Sequence, residues 1–309
     1  MNTIGITGGT GFVGQHLTAL LLQKGYKVII FTTRRARTPA KGNVSYAHWH
    51  PNKEKCDINA LKEVNAMVHL AGAGIADKRW TAARKKEITD SRIKGTGFLV
   101  TQLKTHAINC KTFIAASAIG FYGPDYGKGP FTENDAPYND FLGNTCRQWE
   151  ESSQQASSFL RTAILRFGIV LGEESGAFPQ FLKPMSLGVM PILGSGGQTM
   201  SWIAVTDLAR LIVFALENEQ FSGIYNAVAP HPVSHWQLMK TIAAKKGGFK
   251  IHIHVPSFAL KILLGEMSGE ILKSCTVSAQ KTLDAGFIYS YPDLDKAVDS
   301  ILNKTITKP

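Results

Sequence analysis

Cysteine is scarce: four among 309 residues, and none spaced for a zinc site or a disulfide framework. Cys56, Cys110, Cys146 and Cys275 read as reduced thiols of a cytosolic protein. Long apolar runs are missing as well. The longest candidate, FALKILLGEM, falls short of the ~20 residues a spanning helix needs and is interrupted by Lys261. No basic stretch precedes an apolar one in MNTIGITGG, so no signal peptide is expected. The cytoplasm is the expected compartment, and no membrane partner is expected. Charged residues make up only 18%, with bases exceeding acids to a formal net charge of +11. The bases are spread along the chain. The densest run, DKRWTAARKKE over residues 77–87, reads as a solvated helix face. No recognisable module accompanies the charge, so nucleic acid is not an expected partner. A 44% hydrophobic content leaves a globular chain, long enough for one large domain or two interlocked ones.

What is present has a regular order. TIGIT, KVIIF, NVSYAHW, AMVHLAG, KTFIAASA and RTAILRFGIVLG read as strands. Helical segments separate most of them, notably FVGQHLTALLLQKG, ARKKEITDSRIKGTGFLVTQLKTH and TCRQWEESSQQASSFL. This alternation predicts an α/β fold, a Rossmann-type doubly wound parallel sheet. The rhythm breaks after about residue 170, where GAFPQFLKPMSLGVMPILGSGGQ reads as a substrate-side insertion over about 172–204. TDLARLIVFALEN and GIYNAV return to helix and strand. The expected division is a nucleotide-binding domain over 1–229 and a smaller α+β substrate lobe over 230–309.

TGGTGFVG, Thr7 to Gly14, follows the first strand and opens the first helix, the context a dinucleotide fingerprint requires. Its glycines read as Gly8, Gly11 and Gly14, or with Gly9 supplying a GxGxxG spacing. A side chain at the tight turn would block a pyrophosphate, and the helix start offers free N–H groups and partial positive charge. The candidate contacts are Gly8, Thr10, Gly11, Phe12 and Val13. The second strand ends in Thr33, Arg34, Arg35 and Arg37 with no acid nearby. An NAD site usually places a carboxylate there, whereas arginine matches a 2′-phosphate, so NADP(H) is the expected cofactor. HLAGAG provides small residues, Gly72 among them, at the end of the fourth strand.

These motifs, in this order, resemble the short-chain dehydrogenase/reductase superfamily. More closely they resemble its atypical extended branch, the epimerase family with a C-terminal domain of unknown function. HLAGAGIADKRWT, SRIKGT, SAIGFYG, RFGIVLG, SWIAVTDLA, GIYNAVAP and GFIYSYPDLDKA carry the likeness along essentially the whole chain. The resemblance implies that Thr33 and Arg34 hold the ribose phosphate and that Leu70 and Ala71 line the adenosine path. It also implies that Glu87 and Arg92 face the cofactor and that Val170 lies beside the nicotinamide. From the residues alone, Glu87 reads as an exposed helix charge.

One element of the family pattern is missing. Ordinary members transfer a proton through a tyrosine, helped by a lysine four residues on along the same helix face. With Glu150 as anchor, those positions hold Leu142 and Cys146, and residues 141–160 contain neither Tyr nor Lys. Ser117 occupies the expected place of the substrate-polarising serine. Tyr122 is the candidate replacement acid on the same pocket, with a wall residue as the alternative. Cys146 reads as a packing thiol, Trp149 as core, Glu133 as a loop or cap residue, and His231 and His235 as surface or capping groups. The histidines of IHIHV are expected to face solvent. The expectation is an NADP(H)-dependent oxidoreductase or epimerase-like enzyme on an unidentified small substrate. The alternative is a non-catalytic NADP(H)-binding sensor or partner-binding protein. The oligomeric state stays open, a homodimer included.

Overall fold

The computed structural model describes residues 2–33, 42–248 and 250–303. The chain opens with β1 (Thr3–Thr7), α1 (Phe12–Gln23), β2 (Lys27–Thr32) and β3 (Val44–His50). A short β4 (Lys55–Cys56), α2 (Ile58–Lys62), β5 (Ala66–His69) and the long α3 (Ala82–His106) follow. Next come β6 (Thr112–Ala118), α4 (Phe141–Gln154) and β7 (Arg161–Phe167). Their sheet runs β12-β7-β6-β5-β1-β2-β3-β4, where β12 is Gly223–Ala227. Every pairing is parallel except β3 with β4. Strand order reverses direction at β1, which places the glycine loop at the switch point of a Rossmann-type fold.

Sequence dictates this sheet locally. All five residues of β1 and all four of β5 are buried, as strands covered on both faces must be. One face carries Ile4, Ile6, Ile30, Val68 and Ile114 against α1 and against α6 (Val205–Glu217). The other carries Ile29, Phe31, Met67 and Phe113 against Leu99, Val100 and Leu103 of α3. Two side-chain caps start the long helices. The Thr81 hydroxyl accepts from Arg84 N at 3.2 Å, and the Asp140 carboxylate accepts from Gly143 N at 2.7 Å.

After β7 the chain forms β8 (Ile169–Leu171), α5 (Phe178–Met185), β9 (Val189–Leu193), β10 (Thr199–Met200) and β11 (Trp202–Ala204), then α6 and β12. The last part holds β13 (Val233–Ser234), α7 (His235–Lys246), β14 (Ile251–Val255), α8 (Ser257–Leu264), α9 (Met267–Leu272), α10 (Gln280–Asp284) and α11 (Leu294–Leu302). Strands of the 172–204 insertion pair with strands beyond residue 230: β10 antiparallel with β13, and β9 parallel with β14. Insertion and lobe therefore share one core, with Phe178, Met190, Ile192 and Trp202 packed on Leu238, Met239 and Val298. No helix among the described residues is long and apolar enough to cross a membrane.

A candidate dinucleotide site beside a filled dyad position

The glycine loop turns tightly against the end of β5. Gly8 has φ +73°, and a Cβ there would stand 2.8 Å from the Leu70 carbonyl carbon and 2.9 Å from Ala71 N. A Cβ on Gly14 would stand 2.6 Å from Gly9 Cα, so only glycine lets α1 begin this close to the loop. At Gly11 the same atom would meet nothing nearer than Gly8 O at 3.2 Å. Gly11 is the N-cap of α1 and supplies no capping side chain. The first N–H groups of the helix thus have neither an intrahelical acceptor nor a side-chain cap. A cradle of this form fits a diphosphate, with positive helix-end potential beneath it.

The other cofactor candidates divide. Leu70 and Ala71 abut Gly8 directly. Arg92 lies beneath Gly72, its guanidinium carbon 3.4 Å from where a Gly72 Cβ would be. Nη1 of Arg92 donates to Ala73 O at 3.0 Å and to Ile88 O at 3.1 Å, and the guanidinium sits 5.0 Å over the Trp149 ring. Burial lowers the Arg92 pKa. Phe12 approaches the exit of β8: a Cβ on Gly172 would lie 2.5 Å from its ring, and one on Gly176 would touch both that ring and Val170 O. Val13 packs on the first core, and Thr10 and Thr33 are exposed. Glu87 is exposed and accepts from Arg84 Nη1 at 2.7 Å, and Nη2 of the buried Arg84 in turn donates to Gly74 O of the loop after β5. Arg34, Arg35 and Arg37 lie outside the described residues.

Behind the cradle is a group that sequence reading passed over. His69, wholly buried at the end of β5, bridges Thr7 Oγ1 at 2.6 Å and Thr96 Oγ1 at 3.0 Å. It thereby ties β1, β5 and α3 together. Burial, aided by the charge of Arg92, pulls its pKa down to about 3, so the ring is neutral. A histidine closing an otherwise apolar strand, AMVH, was the available signal.

The expected proton-transfer groups are sealed into the protein. Tyr122 is fully buried, which corrects the expectation that it lines the pocket. A 3-10 turn over Ile119–Phe121 carries its ring inward, where it stacks on Phe131 at 5.0 Å. Its hydroxyl donates to Asn226 Oδ1 at 2.8 Å and accepts from Arg166 Nη1 at 2.7 Å, and burial raises its pKa. Ser117 is corrected too: its hydroxyl is buried and donates to Glu150 Oε1 at 2.6 Å rather than toward a substrate. Glu150 in turn holds Arg166 through two bonds of 2.8 Å. Ser117, Arg166 and Asn226 are direct cross-strand neighbours on β6, β7 and β12, so the network follows one rung of the sheet. The rung closes on Glu133, whose Oε1 accepts from Asn226 N at 2.7 Å. Arginine within the apolar run TAILRFGIVL marked this network in the sequence; its carboxylate partner lay 16 residues away on a helix.

At the dyad positions, Leu142 packs with Trp80, Ile88 and Met267 in an apolar cluster. Cys146 is buried, and burial followed by the charge of Glu150 pushes its pKa up to about 12. Neither can exchange protons near neutral pH. Among the described residues, no cluster of three or more His, Cys, Asp or Glu side chains could hold a metal.

This architecture has relatives. The model of the NAD dependent epimerase/dehydratase family matches residues 4–227, and a domain of unknown function, DUF1731, matches residues 255–301. The chain belongs to this epimerase family. The epimerase family protein YfhF of Bacillus subtilis is 38% identical over 302 residues, covering 97% of both chains. A chloroplastic epimerase family protein of Arabidopsis thaliana, an SDR39U1 homolog, is 31% identical, covering 97% of this chain and 86% of that one. The human epimerase family protein SDR39U1 (isoform 2), solved with NADPH, matches with a TM-score of 0.86 at 27% identity. The match covers 98% of this chain and 99% of the human one. UDP-glucuronic acid 4-epimerase from Bacillus cereus shares the fold at 20% identity, with a TM-score of 0.79.

Proposed function

We propose that this epimerase-family protein binds NADP(H) across the Gly8–Gly14 loop and serves as a reader of the cofactor rather than a Tyr/Lys-type catalyst. The carrying observation is the state of the dyad positions, where Leu142 lies in an apolar cluster and Cys146 is a buried thiol. The cradle residues fit the group: the start of α1 and the glycines would take the pyrophosphate, while Leu70 and Ala71 would flank the adenosine. Thr33 leads into the arginines that would meet the 2′-phosphate. The human relative solved with NADPH supports this choice of cofactor. When bound, NADPH supplies a transferable hydride. The groups sealed around Ser117 and Tyr122 hold their protons inside the fold and offer none to a substrate.

A second reading has one observation in its favour. Lys273, from the C-terminal lobe, places Nζ 2.6 Å from Glu270 Oε2 and 3.4 Å from Tyr122 O. It stands one residue beyond helix α9, whose Met267 packs with Leu142 at the family's usual proton-donor position. Both side chains are largely buried, and burial raises the Glu270 pKa. On this reading the lobe replaces the lost helix lysine, and the protein remains an oxidoreductase on a small substrate.

One experiment separates the two. Purified protein is titrated with NADPH and NADH, and NADPH absorbance is then followed across a panel of carbonyl compounds. The first reading expects preference for NADPH with no turnover of any compound. Turnover abolished by Lys273→Ala would establish the second. Binding of neither nucleotide would remove both.

A further inference from the structure

Strand β14 turns its apolar side outward. As the sequence suggests, His252 and His254 of IHIHV are exposed, on the side of the strand that faces the Trp236 ring, at centroid distances of 5.2 and 6.4 Å. Strand alternation then leaves Ile251 and Ile253 on the opposite side, 56% and 46% exposed. Leu187, 84% exposed, stands at the turn bonded to Ile251, whose N–H donates to Gly188 O at 2.8 Å. Helix α8 follows directly and exposes Phe258, Ile262 and Leu263 to 67%, 72% and 72%. Six large apolar side chains thus protrude from the turn before β9 in the insertion and from β14 and α8 of the lobe, more than scattered surface residues explain.

Charge decides what could cover them. Residues 240–265 contain five lysines, at 240, 245, 246, 250 and 261, and no acid. Lys245 is paired with Asp299 at 2.7 Å, and Lys246 donates to Ser186 Oγ at 2.9 Å. Lys250 and Lys261 directly precede Ile251 and Ile262 in the chain, and Lys240 and Lys261 are exposed. A second copy docked here about a two-fold axis would bring lysines against lysines, which opposes self-association. A bilayer surface with anionic headgroups accepts both features at once: apolar side chains at the headgroup–acyl boundary and ammonium groups at the phosphates.

We propose that the β14–α8 end of the lobe is a docking surface for anionic lipid bilayers. Helix α8 has eight residues, so it lies on the surface rather than crossing it. Such a surface departs from the sequence expectation of no membrane partner, which rests on the lack of an apolar run long enough to cross. This inference stands independently of the cofactor reading.

The test is flotation of the full-length protein with vesicles of equal parts phosphatidylglycerol and phosphatidylcholine, and with vesicles of phosphatidylcholine alone. The expected result is flotation with the first and not the second. Ile262→Asp combined with Leu263→Asp should abolish flotation while leaving the thermal unfolding midpoint unchanged, because both side chains are already in water. Lys261→Ala should lower the partition coefficient about five-fold. Wild-type protein that stays behind with anionic vesicles overturns the proposal, as does a double variant that floats as well as wild type. A dimer dissociated by Ile262→Asp in the absence of lipid would assign the patch to a second copy. Binding to polyglutamate as tight as to vesicles, and indifferent to the double variant, would reduce it to charge alone.

Discussion

Single residues here change meaning once their partners are known. Tyr122 and Ser117 look like reagents in the sequence because they sit in SAIGFYG, next to where chemistry occurs in the superfamily. In the fold they are members of a buried polar rung built on Arg166 and Glu150. The sequence could not disclose this, since the partners come from three strands and a helix. Tyr122→Phe should therefore act on stability rather than on ligand binding. Leaving Asn226 and Arg166 each one bond short should lower the unfolding free energy by about 1–3 kcal/mol in urea titrations, with NADPH affinity unchanged. Arg166→Met removes the only cation bonded to buried Glu150 among the described residues, and should cost more, about 3–5 kcal/mol. Loss of NADPH binding in Tyr122→Phe without loss of stability would contradict the assignment. His69 makes a different demand. Its folded pKa of about 3 lies below the ordinary histidine value near 6.5. Below that value the unfolded chain takes up a proton that the folded chain refuses. Stability is thus fully present above about pH 6.5 and declines as pH falls, by about 1.4 kcal/mol per pH unit until the folded pKa is reached. Burial lowers the pKa of His235 too, which adds to the same slope. His69→Gln, able to keep one hydroxyl bond, should flatten the decline between about pH 6.5 and 5 in denaturation curves.

Elements were far more legible than partnerships. The strands and helices of the central parallel sheet were legible because strands buried on both faces must be largely apolar, and that is a local property; their order in the sheet was not. The glycine loop was legible for the same reason. Strand, turn and helix start are contiguous, and the backbone itself forms the site. Less legible was the pairing of β9 with β14 and of β10 with β13, which joins segments more than 30 residues apart without a distinctive local pattern. The loop permits a test that separates fold from ligand. Gly8→Ala strains a left-handed backbone and drives a methyl into Leu70, so it should lower stability by a few kcal/mol along with binding. Gly11→Ala meets only Gly8 O at 3.2 Å and needs no unusual φ. Its methyl instead enters the space above the helix start. Gly11→Ala should leave the unfolding midpoint within about 0.5 kcal/mol of wild type while weakening NADPH binding at least ten-fold by calorimetry. Equal NADPH affinities for Gly11→Ala and wild type would move the cofactor off this loop.

For the molecule as a whole, the division near residue 230 separates elements but not cores. The core under α1 and α6 contains Cys275, Val277, Ala279, Phe287 and Tyr289 beside Ile6, Ile114 and Leu165. The Asp207 carboxylate of α6 accepts from Ser290 N at 2.9 Å and from Tyr291 N at 2.8 Å. Asn226, on the edge strand of the main sheet, donates through Nδ2 to Ser278 O at 3.2 Å, and its own carbonyl accepts from Thr282 Oγ1 at 2.9 Å. The far side is joined as well: Lys85 of α3 pairs with Glu266 at 2.6 Å, beside the apolar contact of Trp80 and Leu142 with Met267. A lobe attached by a linker would unfold on its own; one that completes its neighbour's core cannot. Tryptophan reports on both halves, through Trp49 and Trp149 in the nucleotide-binding part and Trp202 and Trp236 in the insertion–lobe core. Urea unfolding followed by tryptophan fluorescence and by far-ultraviolet circular dichroism should give one coincident transition. A chain cut after residue 229 should lose that cooperative transition and bind hydrophobic dyes, because Phe131, bridged to Val277, and Phe214, packed on Phe287, would lose their cover. Two separated transitions, or a truncated chain that unfolds as sharply as the whole, would mean that the lobe rests on the nucleotide-binding half without completing it.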